Sequence, residues 1–133
     1  MCIRDRVKTT ARKGRPAILL PYKVLRRENP VKPSWEATSD SLSIYLAWRL
    51  KLPKLILLKD VDGIFLPPKK RKLLPEVTVE QLERWKGETC LDEMFPSMLS
   101  RFKLECLVLN GFHPERLEKA LEGFEVKGTR IRV

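Results

Sequence analysis

The chain has 133 residues, 43% of them hydrophobic, which suffices for one buried core, and a formal net charge of +10. No stretch approaches the roughly 20 uninterrupted apolar residues of a membrane span, and the start lacks the apolar segment of a secretory signal; a cytoplasmic protein without a membrane partner is expected. The three cysteines, Cys2, Cys90 and Cys106, form no Cys-x-x-Cys pair, so neither a zinc site nor a disulfide framework is indicated, and Cys90 and Cys106 read as small reduced apolar side chains.

The positive charge favours an anionic partner, either nucleic acid or a phosphorylated metabolite. Basic residues are spread from Arg12 to Arg132, and the one dense run, Lys69-Lys70-Arg71-Lys72 after Pro67-Pro68, reads as a solvated loop. With no zinc-finger spacing, aromatic-and-basic RNA signature or basic recognition helix, the pattern points away from nucleic acid and toward a small phosphorylated molecule.

In chain order, Met1-Cys2-Ile3-Arg4-Asp5-Arg6 has neither helical nor strand periodicity and resembles translated sequencing-adapter DNA, so residues 1–6 are expected to be a spurious or disordered start. The apolar run Ala17-Ile18-Leu19-Leu20, stopped by Pro21, predicts a buried strand of a parallel sheet. Residues 22–35, rich in proline and charge, predict a long loop. Thr38-Ser39-Asp40 then supplies capping residues for a helix carrying Leu42, Ile44, Tyr45, Leu46, Trp48 and Leu50, with Trp48 in the core.

After Pro53, Leu55-Ile56-Leu57-Leu58 predicts a second strand leading into the turn Lys59-Asp60-Val61-Asp62-Gly63. Thr78 starts a helical stretch through Val79, Leu82 and Trp85 that Gly87 closes, and residues 91–102 carry Met94, Phe95, Met98, Leu99 and Phe102 at helical spacing. Cys106-Leu107-Val108-Leu109 is a third strand broken by Asn110-Gly111, Pro114 opens a helix, and an extended piece begins at Thr129. This alternation predicts an α/β fold with a mostly parallel sheet covered by helices on both faces. Ligands of such sheets sit beyond the carboxyl ends of the strands, where the Thr38 helix start, the Lys59 turn and the Asn110 loop are expected to converge. Helix N-termini with free amides make phosphate an attractive ligand there.

Two of these segments resemble successive motifs of the amino acid kinase superfamily: Trp35-Glu36-Ala37-Thr38-Ser39-Asp40-Ser41-Leu42, and Lys59-Asp60-Val61-Asp62-Gly63-Ile64-Phe65 downstream. Gly128-Thr129-Arg130-Ile131 resembles the superfamily's closing Gly-Thr-x-Ile. Leu91-Asp92-Glu93-Met94-Phe95-Pro96 and Asn110-Gly111-Phe112-His113-Pro114-Glu115-Arg116-Leu117 are similar in particular to the aminomethylfuran phosphate kinases of methanofuran biosynthesis. The resemblance implies transfer of the γ-phosphoryl group of ATP, with Mg2+, to the phosphate of a furan methyl phosphate. Uridylate and isopentenyl phosphate kinases of the same superfamily are alternatives, as is a non-catalytic nucleotide-binding module.

By the same resemblance Asp40 is the aspartate that orders catalytic lysines, although a helix-start carboxylate explains the residue equally well. Lys59, Asp60, Val61, Asp62, Gly63 and Phe65 would lie along the nucleotide, and Trp35, Thr38 and Ser39 along the acceptor. Asp60 or Asp62 is a candidate for reaching Mg2+ through water. Two departures stand out. Lys59 replaces a frequent threonine, and Ser97 stands where several relatives align a catalytic lysine, leaving Arg101 and Lys103 as the nearest basic residues in sequence. His113, without a nearby partner at ligand spacing, reads as a loop residue. The chain also lacks the glycine-pair turn with which such kinases begin. Residues 7–133 are therefore expected to be the C-terminal, nucleotide-binding part of the domain, inactive alone, with homo-oligomerisation a property of the longer protein.

Overall fold

The computed structural model describes residues 6, 13–32, 37–68 and 71–133. Its helices and strands, in order, are α1 (Tyr22–Glu28), α2 (Ser39–Arg49), β1 (Lys54–Lys59), β2 (Ile64–Phe65), β3 (Leu73–Leu74), β4 (Glu76–Thr78), α3 (Val79–Arg84), α4 (Phe95–Phe102), β5 (Glu105–Asn110), α5 (Pro114–Leu121) and β6 (Thr129–Arg132). Four strands form one sheet in the order β1-β5-β6-β4, and β2 pairs with β3 in a separate antiparallel ribbon. β1 runs parallel to β5 and β4 parallel to β6, while β5 and β6 are antiparallel. The α/β class and the mostly parallel sheet are as the sequence pattern predicts.

Alternating side chains of the strands feed two apolar layers. Leu57, Cys106, Val108, Ile131 and Val77 face one side, where α2 and α4 contribute Ile44, Ala47, Phe95, Met98 and Leu99. Leu107 and Leu109 face the other, against Ala120 and Leu117 of α5. Both faces are thus covered by helices. No helix among the described residues is long and apolar enough to cross a membrane.

The first expected strand is not one. Residues 17–20 belong to no helix or strand, with Ile18 93% and Leu20 84% exposed. An apolar run becomes a strand only where a neighbouring strand takes its backbone groups, and none of the described strands does so. The expected loop from residue 22 contains α1 instead. Its prolines lie outside the helix: Pro21 occupies the N-cap, and Asn29 ends it in the left-handed conformation (φ 41°) before Pro30. Lys-Val-Leu-Arg-Arg-Glu between them are adequate helix formers. Glu28 fixes α1 to α2, accepting hydrogen bonds from the Tyr45 hydroxyl and from Arg49 Nε at 3.2 Å. These two donors hold Glu28 below the usual carboxylate range.

Trp48 is not in the core. It is 47% exposed and stacks at the surface against Phe102, with ring centroids 4.8 Å apart, and against Tyr45. α4 is also shorter than its periodicity suggests, because Asp92 ahead of it is engaged with α2. Ile64–Phe65, at the end of the segment read as a turn, pair with Leu73–Leu74 as the β2–β3 ribbon.

Candidate functional site

β1 and β5 end side by side, with Lys59 opposite Asn110 in the parallel register. Lys59 is delivered by β1 and reaches the first turn of α2, where its Nζ lies 2.9 Å from Asp40 Oδ2. Both side chains are mostly buried, at 21% and 10% exposure, so this pair is shielded from bulk water. Asp40 is its only protein acceptor among the described residues, and two of the three ammonium hydrogens stay unspent.

The N-terminus of α2 is built around a carboxylate from elsewhere in the chain. Thr38 is the N-cap, its Oγ1 accepting from the Asp40 amide at 3.3 Å. Asp92 then accepts from the Thr38 amide at 2.7 Å, the Thr38 hydroxyl at 2.8 Å, the Ser41 amide at 3.1 Å and the Ser41 hydroxyl. Of the helix-end donors expected to meet a phosphate, the Thr38 and Ser41 amides are therefore taken by Asp92 and the Asp40 amide by Thr38, the physical correction to the sequence reading. Ser39 remains exposed beside them, and Trp35 lies outside the described residues.

Beyond Lys59 the chain crosses the end of the sheet. Asp60 is exposed and Val61 half-buried. Asp62 gathers three donors from other elements: Arg116 Nη1 of α5 at 2.6 Å, Asn110 Nδ2 at 3.1 Å and Lys127 Nζ at 3.3 Å. The Arg116 and Asn110 hydrogen bonds, foremost, hold its carboxyl far below the usual range. Gly63 adopts φ +154°, and a Cβ there would stand 2.5 Å from Thr129 Oγ1. That fully buried hydroxyl accepts from the Ile64 amide at 2.8 Å and donates to the Leu74 carbonyl at 2.6 Å. Close approach at Gly63 is thus to the chain's own Thr129. Phe65, in β2, pairs with Leu73. With Val61, Gly63, Glu88, Thr89 and Cys90 it lines a small cleft of about 70 Å³.

Burial raises the Cys90 thiol, with Lys59, Asp40 and Asp60 all close enough to act on it. Ser97 spends its hydroxyl on the Met94 carbonyl at 3.0 Å. Lys103 caps the C-terminal end of α4, just before β5 starts, and so lies at the opposite end of the sheet from Asn110; the guanidinium of Arg101 rests over the Phe102 ring. Of the basic groups considered, Lys59 is the one brought to Asp40. His113 caps the start of α5 with Nδ1 3.2 Å from Glu115 Oε1. Arg116 and Lys127 are members of the site to which sequence reasoning gave no role. Their only signal was a position in, or just before, segments resembling family motifs.

The sequence profile of the amino acid kinase family matches residues 3–108. The chain belongs to the amino acid kinase family. Among characterised members it is 41% identical over 125 residues to the [5-(aminomethyl)furan-3-yl]methyl phosphate kinase of Methanocaldococcus jannaschii, covering 94% of this chain and 56% of that protein. It is 34% identical over 106 residues to the uridylate kinase of Methanobrevibacter smithii, covering 71% of this chain and 47% of that one. The crystal structure of UMP kinase from Bacillus anthracis shares the fold with a TM-score of 0.75 at 20% identity, over 99% of this chain and 52% of that one. The chain spans about half the length of these amino acid kinases. Its α/β architecture is the family's.

Proposed function

We propose that the chain is the nucleotide-binding part of an ATP-dependent kinase whose acceptor is itself a phosphate, namely [5-(aminomethyl)furan-3-yl]methyl phosphate, converted to its diphosphate in methanofuran biosynthesis. The observation that carries the proposal is the Lys59–Asp40 pair, a shielded ammonium with unspent donors at the carboxyl end of β1. Joining two anionic phosphates is opposed by their repulsion and spreads negative charge over the transferred group. A cation must stand there, and the family motif's usual threonine is here Lys59. Asp40 anchors one ammonium hydrogen and leaves the others for phosphate oxygens; Lys59 then acts as a fixed point charge and Asp40 as its positioning residue.

In the transfer, an oxygen of the acceptor phosphate forms a bond to the γ-phosphorus while the bond to the β,γ-bridging oxygen breaks, and ADP leaves with that electron pair. Among the described residues no three His, Cys, Asp or Glu side chains gather to hold a metal, so Mg2+ would arrive on the nucleotide phosphates. Asp60, exposed at the strand end, is the carboxylate available to it, with Asp62 committed to Arg116, Asn110 and Lys127. Bound there, Mg2+ would neutralise phosphate charge.

The furan phosphate is preferred as acceptor on the strength of the 41% identical relative. Uridylate is the second reading, supported by the 34% identical one. The chain alone is expected to bind ATP weakly, more weakly as Lys59→Gln, and to turn nothing over; ADP release by the purified chain would show that the acceptor site is already complete. Furan phosphate, UMP and isopentenyl phosphate are then compared in the reading frame extended upstream of Val7. The highest kcat/KM with UMP would sink the furan assignment.

A further inference from the structure

Arg116 is a poorly satisfied arginine. Its side chain is only 17% exposed, yet its one side-chain acceptor among the described residues is Asp62, reached through Nη1. A guanidinium carries five N–H donors, and donors this far removed from water are normally matched. Lys127 approaches the other oxygen of the same carboxylate at 3.3 Å and remains 57% exposed. Two cations from separate elements thus share one anion, with a local excess of positive charge. Asn110, whose Oδ1 accepts from the Phe112 amide at 2.9 Å, holds Asp62 from beneath through Nδ2. The unspent donors stand at the carboxyl end of β5, one strand from Lys59.

We infer that Arg116 and Lys127, aligned by Asp62, form a cradle for the polyphosphate of the nucleotide, gripping phosphates that are not transferred while Lys59 meets the one that is. This deepens the kinase reading and rests on it for the nucleotide. Arg116 suits the task because its planar fork grips two oxygens of a phosphate, and Asp62 fixes the plane of that fork. Lys127, closer to solvent, adds a point charge at the rim. Asp62 is a positioning residue.

The test is calorimetric titration of the 133-residue chain with inorganic tripolyphosphate, which needs neither an acceptor site nor transfer. Arg116→Gln is expected to weaken binding about tenfold or more, the loss of one charge-assisted contact. Lys119→Gln, which removes one charge from the exposed last turn of the same helix, is expected to change it less than about twofold. Equal losses in the two variants, or none, overturn the cradle. Should Arg116→Gln fail to fold by circular dichroism, Lys127→Gln decides, with about threefold weakening expected and unchanged binding contradicting the proposal. Tighter Arg116-dependent binding of a duplex oligonucleotide than of tripolyphosphate would overturn it in favour of nucleic acid. The kinase reading fails separately: if the extended reading frame transfers no phosphoryl group while tripolyphosphate binding still tracks Arg116, the cradle stands and the kinase does not.

Discussion

Gly63 joins two motifs that lie 65 residues apart, because the backbone after it is fastened to Thr129. An added methyl group would have to displace a buried hydroxyl that already serves Ile64 and Leu74, at a φ of +154° that side chains rarely adopt. Gly63→Ala is therefore expected to lower unfolding stability by about 1–3 kcal/mol, read from urea melts, and an unchanged midpoint would show that the loop yields freely. Asp62 makes a pH prediction. Its folded carboxyl is held below its unfolded value, so its contribution to stability is complete above about pH 4 and is lost as pH falls further through the folded value. The acid limb of the stability profile should be shallower in Asp62→Asn than in the parent; identical limbs would refute the linkage. Lys59, Asp40 and Asp62 were legible as candidates because the segments that carry them resemble amino acid kinase motifs. Their partners were not legible: Arg116 lies 54 residues from Asp62, and nothing local in a helical arginine says which carboxylate it will meet.

At the scale of elements, α2 depends on the loop before α4. Asp92 takes four donors at the start of α2, two of them backbone amides that would otherwise be orphaned. Asp92→Ala is expected to cost about 2–3 kcal/mol, the upper range for hydrogen bonds to a charged group, and to weaken ATP binding by loosening Asp40. Urea melts and calorimetry on one sample check both, and full stability in the alanine variant would remove Asp92 from this role. Helices with strong apolar periodicity, such as α4 and α5, were legible because their faces are written into the sequence. α1 was not, since its bordering prolines mimic a loop and its single buried residue, Val24, leaves almost no periodic signal. The run Ala17-Ile18-Leu19-Leu20 misled in the opposite direction. Composition specifies that a segment could serve as a strand, but a partner decides whether it does.

For the whole molecule, the alternation of apolar runs and amphipathic helices was enough to predict an α/β sheet covered on both faces, whereas the antiparallel placement of β6 against β5 carries no local signature. The same sheet has a consequence for solution behaviour. Among the described residues β1 pairs only with β5, and no described strand takes the amides and carbonyls of its other edge. Leu58 on that strand is 50% exposed, and the apolar run at Ile18 and Leu20 is uncovered as well. An open edge and an exposed strand-forming segment in one chain are complementary, so the segment of one copy can add to the edge of another. The net charge of +10 opposes this at low ionic strength and less so when salt screens it. Sedimentation of the 133-residue chain should therefore show association that increases with protein concentration and with salt. Ile18→Lys is expected to return it to monomer without changing the unfolding midpoint, because that side chain is almost fully exposed. Association that persists in this variant, or that weakens as salt is added, would mean that the contact is electrostatic and lies away from the sheet edge.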